Sequence, residues 1–382
     1  MPFVEAARAV TKEAPPSTLD TLLTPAAVVD LDRMEANLDR MAAYVRCHGL
    51  GLRPHTKTHK TPGLAAEQIR RGAIGLTVAQ LHEAQVMGDV SREILLAHPL
   101  VGPAKLRRLL ALPAELRLIV ALDSAAALDA LAQAAVAHRR DIGVLIELDL
   151  GMRRVGIGDI AEAVRLCRHC TTLEGVTWRG IMFYPGHIRE HVTGQDDALA
   201  RVDAALHDAL AALGEAGLAP AIVSAGSTPT AYVSHRIGGL SEIRPGTYIF
   251  NDRITADLGA CDWNDCAYAV LATVISTAVP GQAVVDAGSK ALFREELRGS
   301  VANGFGALLD RPEVIVKGMS EEHGLLDLSH SDWRPRVGDL VRIVPNHVCV
   351  SVNLHDTTWG VRGDRIERRW TVAGRGWELE TR

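Results

Sequence analysis

The strongest constraint on the fold is a repeated alternation from residue 24 to about residue 250, in which each short apolar run is followed by an alanine- and leucine-rich stretch. The runs, beginning with AAVVDL at 26–31 and GLRPHTK at 51–57, are continuously apolar, which is typical of parallel strands covered on both faces. About eight such units in roughly 230 residues predict an α/β fold, a TIM-like (β/α)8 barrel. A doubly wound open sheet is the alternative, but no G-x-G-x-x-G follows the first run, which disfavours dinucleotide binding.

The pattern changes near residue 255. Later runs such as AYAVLATVIST and LVRIVPNHVCVSV predict strands separated by Gly, Pro and Asp turns, with little helix between them. We therefore expect two domains. The barrel covers residues 24–255, and a β domain covers residues 256–382, to which residues 1–23 return as an extra strand.

Charge and hydropathy exclude several kinds of partner. The chain has 382 residues, a net charge of −5 and no basic block, so we expect neither nucleic acid nor a membrane as a partner. No apolar run reaches the roughly 18–20 residues needed to span a bilayer. The N-terminal stretch contains Glu5 and no apolar segment, so we do not expect a secretory signal and place the protein in the cytoplasm.

A lysine ends the GLRPHTK run and lies in the segment RPHTKTHK at 53–60. Active sites of barrels lie at the carboxyl ends of the strands, which is where Lys57 falls. A buried ammonium group is costly unless it is paired or neutralised, and a Schiff base with a carbonyl cofactor removes that cost. The alternative is an ordinary loop with surface lysines.

Two segments late in the barrel could bind a phosphate. VSAGSTPT at 223–230 offers backbone N–H groups and hydroxyls at Gly226, Ser227 and Thr228, and barrels often bind phosphate after their last strands. RPGTY at 244–248 follows shortly and could close the same cup. Two ordinary turns are the alternative.

Further polar residues follow other predicted strands. Arg154 could face the ring of a cofactor, or it could simply pair with Asp149 at the same strand end. Tyr184, His187 and His191 supply a phenol and two imidazoles suited to proton transfer. Hydrogen-bonded loop histidines are the alternative for this group.

The β domain contains a possible metal site. On a strand, His347 and Cys349 are two residues apart and point to the same face. An imidazole and a thiolate together favour Zn²⁺, and two protein ligands leave positions open for water or substrate. By spacing alone, this pattern is a weak signal.

Taken together, these motifs resemble the D-threonine aldolase and D-serine dehydratase family, which has the alanine-racemase-like fold of pyridoxal phosphate enzymes. The resemblance runs through TPAAVVDLDRMEANL, RPHTKTHK, LDLGMRRVGI, YPGH, GSTPT, RPGTYIF, VVDAG, EEHG and PNHVCVSVNLHD.

The resemblance assigns roles to individual residues. It implies that Lys57 is the Schiff-base lysine and that Arg154 lies near the pyridine nitrogen. It places Gly226, Ser227 and Thr228 around the phosphate, and makes His347 and Cys349 the ligands of a zinc or manganese ion. We also expect His55, Tyr184 and Tyr248 around the cofactor. The family further implies a homodimer whose partner covers the site.

The expected reaction is retro-aldol cleavage of a D-3-hydroxy amino acid to glycine and an aldehyde. We expect the metal to bind the β-hydroxyl and His191 or His187 to take its proton. Aldolases of the family often carry His-x-Asp at the metal pair, whereas Cys349 is typical of its dehydratases. A dehydratase for D-serine or D-3-hydroxyaspartate, giving a 2-oxo acid and ammonia, is therefore the alternative. An amino-acid racemase and a non-catalytic pyridoxal phosphate carrier are further possibilities.

Overall fold

The computed structural model describes residues 16–297 and 304–376, and within these residues the chain forms two sheets. Residues 1–15 of the predicted returning strand lie outside the described part. Within the described part, the bridge between Thr18 and Arg365 places the start of the chain beside the last strand. No helix among the described residues is long and apolar enough to cross a membrane.

The first sheet contains eight parallel strands in the order β2-β9-β8-β7-β6-β5-β4-β3. A parallel bridge from His55, just after β2, to Thr77 in β3 connects the two ends and closes the barrel. The predicted TIM-like architecture is therefore confirmed. The strands are β2 Gly51–Leu52, β3 Leu76–Val78, β4 Glu93–Leu96, β5 Arg117–Leu122, β6 Ile142–Glu147, β7 Val176–Met182, β8 Ile222–Ala225 and β9 Glu242–Ile243.

Helices cover the outside of the barrel and bury their apolar faces against the strands. Several begin at an aspartate that caps the first turn, as Asp30 does by accepting a hydrogen bond from the backbone N–H of Arg33. These helices are α1 Leu31–Cys47, α2 Pro62–Arg70, α3 Leu81–Met87, α4 Pro103–Leu110, α5 Ala125–Ala137, α6 Ile160–Cys170 and α7 Asp196–Glu215. Three short helices follow the last barrel strand along the chain, α8 Arg253–Asp257, α9 Ser289–Leu292 and α10 Val348–Val352.

The second sheet contains nine strands in the order β11-β14-β13-β12-β15-β10-β1-β16-β17, and is antiparallel except where β1 pairs with β16. The strands are β1 Ala26–Asp30, β10 Tyr268–Ser276, β11 Gln282–Val285, β12 Gly306–Leu308, β13 Arg311–Met319, β14 Gly324–Asp327, β15 Leu340–Pro345, β16 Thr357–Arg362 and β17 Arg365–Thr371.

Strand β1 corrects one sequence prediction. The run at 26–31 is placed first in the barrel by its apolar pattern, but Ala26–Asp30 lies between β10 and β16 in the second sheet. The reason is that a central strand of either sheet is buried on both faces, so hydropathy alone does not distinguish them. The barrel therefore starts with the segment that leads to Lys57. The division of the chain at residue 255 remains a prediction.

Candidate active site

A cavity of about 210 Å³ lies at the carboxyl ends of the barrel strands, where they face the second sheet. It brings together most of the predicted site residues. From the barrel side it is lined by His55, Lys57, Tyr184, Ser227 and Thr228, and from the second sheet by His347 and Cys349.

Lys57 lies in a short 3-10 turn, Thr56–Thr58, directly after β2. The turn is anchored to the barrel because the hydroxyl of Thr56 donates to the carbonyl of Thr77, at 3.1 Å. The amine of Lys57 is 5.9 Å from the ring centroid of Tyr184, and no carboxylate of the described residues lies within ion-pair distance of it. Burial, followed by the charges of Lys57 and Arg244, holds the pKa of His55 well below its usual range, so this imidazole is neutral.

A chain of buried side chains supports the lysine turn from behind. His59 lies 3.2 Å from the amide oxygen of Gln68, whose nitrogen donates to the hydroxyl of Tyr248 at 3.0 Å. Burial lowers the pKa of His59 to about 4, so the ring is uncharged at neutral pH. Tyr248 is 2 % exposed and does not line the cavity, so the structure places it behind the site rather than beside a cofactor.

The segment after β8 forms a cup in the cavity wall. Gly226 has a φ of +103°, and a Cβ at this position would lie 3.1 Å from the Cβ of Ile243, so a side chain would be strained here. The following residues, Ser227 and Thr228, are buried and line the cavity. Thr228 also accepts a hydrogen bond from the backbone N–H of Thr247, which joins the two predicted phosphate segments.

Arg244 is a cavity residue whose importance the sequence analysis missed. It is 4 % exposed, its Nε donates to Ser224 at 2.8 Å and its Nη2 donates to the carbonyl of Phe183 at 2.7 Å. Ser224 in turn donates to Glu242 at 2.6 Å, and Glu242 is also paired with Arg53. The sequence analysis predicts that the RPGTY segment closes the phosphate cup, but it assigns no separate role to its arginine.

Arg154 lies elsewhere. Its side chain is exposed and its guanidinium packs 5.1 Å from the ring centroid of Tyr184, so it contacts a cavity residue without lining the cavity. The sequence pattern cannot distinguish an arginine in the wall from one at the mouth, because both follow the end of a barrel strand.

Neither of the predicted histidine bases lines the cavity. His187 is half-buried and its ring packs over Gly151. His191 is exposed, its ring packs over Gly259 and its Nδ1 lies 2.9 Å from the hydroxyl of Thr193. The loop that carries both rings lines the cavity through Gly186, Ile188 and Arg189 instead.

His347 and Cys349 meet at the cavity, but not on a strand. Strand β15 ends at Pro345, and Cys349 lies in the short helix α10 with His347 as its N-cap. Both side chains line the same cavity, and each influences the protonation of the other. Burial alone would oppose the thiolate, but His347 outweighs it and lowers the pKa of Cys349. Burial alone would likewise disfavour the imidazolium, but Cys349 and then Asp252 raise the pKa of His347 well above its usual range.

Each member of this pair is held from the barrel side. The sulfur of Cys349 is 3.2 Å from the hydroxyl of Thr58, the residue after Lys57. The Nδ1 of His347 is 2.9 Å from a carboxylate oxygen of Asp252. Among the described residues, no cluster of three or more His, Cys, Asp or Glu side chains forms a complete metal site, so the pair would need water or substrate as further ligands.

Comparison with known proteins agrees with this architecture. The family described as "Alanine racemase, N-terminal domain" matches residues 29–253, and "Putative serine dehydratase domain" matches residues 267–361. D-threonine aldolase of Arthrobacter sp. is 32% identical over 92% of this chain and 93% of its own length. D-threo-3-hydroxyaspartate dehydratase of Delftia sp. is 38% identical over 87% of this chain and 93% of its own.

The chain belongs to this family of aldolases and dehydratases, as the sequence motifs predict. A solved structure of the D-threo-3-hydroxyaspartate dehydratase, a cysteine-to-alanine variant in the metal-free form, is similar with a TM-score of 0.85 at 32% identity, covering 95% of this chain and 100% of the other. The fold is alanine-racemase-like, and the family implies pyridoxal phosphate as the cofactor. The names of the relatives support an enzyme with lyase activity.

Proposed function

We propose that this protein is a lyase dependent on pyridoxal phosphate and a divalent metal, which cleaves D-3-hydroxy amino acids to glycine and an aldehyde. The observation that carries the proposal is a shared cavity. The amine of Lys57, the cup at Ser227 and Thr228, and the pair formed by His347 and Cys349 all line it.

The barrel side fits pyridoxal phosphate. Lys57 is an amine without a carboxylate partner among the described residues, which suits a group that must form a covalent bond to a carbonyl. The buried hydroxyls after Gly226 and the glycine backbone suit a phosphate. When bound, the cofactor supplies a ring that accepts the electron pair left on Cα after bond cleavage.

We assign the position beside the ring nitrogen to Arg244 in place of Arg154. Arg244 is buried in the cavity wall and is fixed by Ser224 and Phe183, whereas Arg154 is exposed. A guanidinium does not release its proton in proteins, so Arg244 would hold the cofactor ring as a hydrogen-bond donor and would not supply a proton to the ring nitrogen.

The side of the second sheet fits a divalent metal. The nitrogen of His347 and the sulfur of Cys349 form a donor set that favours Zn²⁺ over the harder Mn²⁺. When bound, the metal supplies a positive charge that lowers the pKa of the substrate β-hydroxyl.

The residues of this chain would then move two protons. Lys57 faces the interior of the cavity and returns a proton to Cα when glycine forms. For the proton of the β-hydroxyl, we favour Tyr184, because it lines the cavity beside Lys57, whereas His187 and His191 do not line it.

One part of the remaining cavity wall is apolar and would suit a small apolar substituent on the substrate. Ile188, Pro229, Ile254 and Leu258 line the cavity and would contact the fragment that leaves as an aldehyde. Contact with these side chains stabilises a methyl group by removing it from water. D-threonine, which gives acetaldehyde, is therefore the first substrate to test.

The decisive experiment is product analysis. Protein loaded with pyridoxal phosphate and Zn²⁺ is incubated with D-threonine, and the products are identified by mass spectrometry. Glycine and acetaldehyde in equal amounts are expected. No product from D-threonine, D-serine or D-3-hydroxyaspartate would refute the proposal.

Dehydration is the second candidate, favoured by Cys349 in the metal pair and by the 38% identity to the dehydratase of Delftia sp.. Here Lys57 would remove the proton from Cα, and the β-hydroxyl would leave as water. A 2-oxo acid and ammonia, in place of glycine and aldehyde, would establish this reaction in the same experiment.

We further propose that the protein acts as a homodimer in the cytoplasm. The family resemblance supports a partner that covers the site, and the exposed position of Arg154 at the cavity mouth agrees with it. Sedimentation velocity should give twice the monomer mass of 41.1 kDa. A monomer at micromolar concentration would contradict this part.

A further inference from the structure

Asp252 is the least exposed carboxylate close to the candidate metal pair. It lies in the segment that leads from the last barrel strand to β10, as the N-cap of α8, and its side chain is 0 % exposed. Burial of a carboxylate costs free energy unless several donors form hydrogen bonds to it, so the contacts of Asp252 indicate its role.

Four hydrogen bonds occupy the two oxygens of this carboxylate. Oδ1 accepts from the backbone N–H and from the hydroxyl of Thr255, both at 2.9 Å. Oδ2 accepts from the backbone N–H of Val348 at 3.0 Å and faces Nδ1 of His347 at 2.9 Å. One oxygen therefore caps α8, and the other is directed at the candidate metal ligand.

The second oxygen determines which nitrogen of the imidazole carries a proton. Because the carboxylate can only accept, Nδ1 of His347 must donate to it. In the neutral ring this leaves the lone pair on Nε2, the nitrogen that does not contact Asp252. A ring held in this tautomer and orientation is ready to bind a metal together with the thiolate.

We propose that Asp252 is a positioning residue of the metal site, which fixes the tautomer and the orientation of His347 without binding the metal itself. This inference rests on the proposed metal-dependent function. Partners of metal-bound histidines typically contribute about 10- to 100-fold to metal affinity.

The substitution Asp252→Asn separates this role from capping. Asparagine is also a good N-cap, so its side-chain oxygen can still accept from Thr255 and α8 is retained. Its NH₂ group then replaces Oδ2 and faces two donors, the N–H of Val348 and Nδ1 of His347. The imidazole must lose that hydrogen bond or move its proton to Nε2, where it blocks the metal.

Two control variants match this substitution. Thr255→Val removes a hydroxyl that donates to Oδ1 but leaves the contact with His347 intact. Asp262→Asn changes another aspartate with a capping box, at the 3-10 turn Trp263–Asp265, that has no histidine partner among the described residues. Neither control should change metal affinity by more than about threefold, which is small beside the expected effect.

The experiment measures zinc affinity by competition with a chromophoric chelator, using protein loaded with pyridoxal phosphate and stripped of metal. We expect the zinc Kd of Asp252→Asn to rise by about 10- to 100-fold, with an unchanged absorbance spectrum of the bound cofactor. An unchanged zinc Kd, or an equal rise in Thr255→Val, would overturn the inference. If the unsubstituted protein bound no zinc, or bound it equally after Cys349→Ala, the proposed metal function itself would fail.

A second measurement determines the tautomer of His347 in the unsubstituted protein. In protein labelled with ¹⁵N-histidine, the signals of His347 are assigned by comparison with His347→Gln. Zinc-loaded protein should show a proton on Nδ1 and none on Nε2. A proton on Nε2 would contradict the role of Asp252.

Discussion

The two sides of the cavity are built in different ways. On the barrel side, Lys57, Ser227 and Arg244 each lie within five residues of the end of a parallel strand, so the closure of the barrel brings them together. On the side of the second sheet, His347 and Cys349 lie at a helix start and depend on side chains from distant segments. Cofactor binding on the barrel side should therefore tolerate substitutions on the side of the second sheet. Metal binding by His347 and Cys349 should instead respond to substitutions on either side.

The largest effect should follow from Lys57→Ala. Without the amine, the protein cannot join the cofactor covalently or return a proton to Cα, so kcat/KM for D-threonine should fall on the order of 10³-fold or more. Lys105→Ala, at an exposed position of α4, is the matched control. If kcat/KM of Lys57→Ala stayed within about tenfold of that of the unsubstituted protein, the barrel side would not supply the reactive group, and the contrast between the two sides would fail.

Removal of the metal should have the next largest effect. It should affect the function of the second-sheet side and leave cofactor binding on the barrel side unchanged. Incubation with a chelator, or the substitution Cys349→Ala, should lower kcat by about 10²- to 10³-fold while the absorbance of the bound cofactor is unchanged. The physical reason is that the metal charge acts on the β-hydroxyl, whereas the cofactor is held by barrel residues. Full activity in the presence of chelator would instead support a racemase-like enzyme without a metal.

A smaller effect should distinguish the two arginines. Arg244→Gln removes a buried donor in the cavity wall, so kcat/KM should fall by about 10- to 100-fold. Arg154→Gln changes an exposed side chain that contacts Tyr184, and should cost less than about fivefold. The reverse order in steady-state kinetics would restore the original assignment of Arg154.

The smallest effect concerns stability and pH. The folded-state pKa of His59 is about 4, below the value of about 6.5 in an unfolded chain, so the unfolded state takes up a proton first as pH falls. The free energy of unfolding should therefore decrease by about 2 kcal/mol between pH 7 and pH 5 through this residue, and the loss should be complete near pH 4.

Urea unfolding of the cofactor-loaded protein at both pH values tests this prediction. His59→Gln cannot titrate, so its stability should change less with pH than that of the unsubstituted protein. An equal pH dependence in both proteins would show that the support behind Lys57 is not the source of the effect.

The sequence predicted the barrel and the family because the informative residues there are local. Lys57, Gly226 and Ser227 lie in short motifs at strand ends, and a parallel barrel brings such ends together. The position of Ala26–Asp30 in the second sheet could not be predicted, since buried strands of both sheets have the same apolar composition.

The remaining differences depend on contacts over long sequence separations. Asp252 is 95 residues from His347, and Thr58 is 291 residues from Cys349, so no local pattern connects them. The backbone at His347 and Cys349 also differs from the prediction, because strand β15 ends at Pro345 and a helix begins where the strand was expected to continue. Arg244 and Arg154 both follow strands, and only their burial distinguishes them.

The central claim is that the amine of Lys57 holds pyridoxal phosphate in this cavity. Borohydride reduction of the cofactor-loaded protein, followed by protease digestion and mass spectrometry, tests it directly. We predict a pyridoxyl phosphate adduct on the peptide that contains Lys57, at about one per chain. An adduct on another lysine, or on none, would contradict the account.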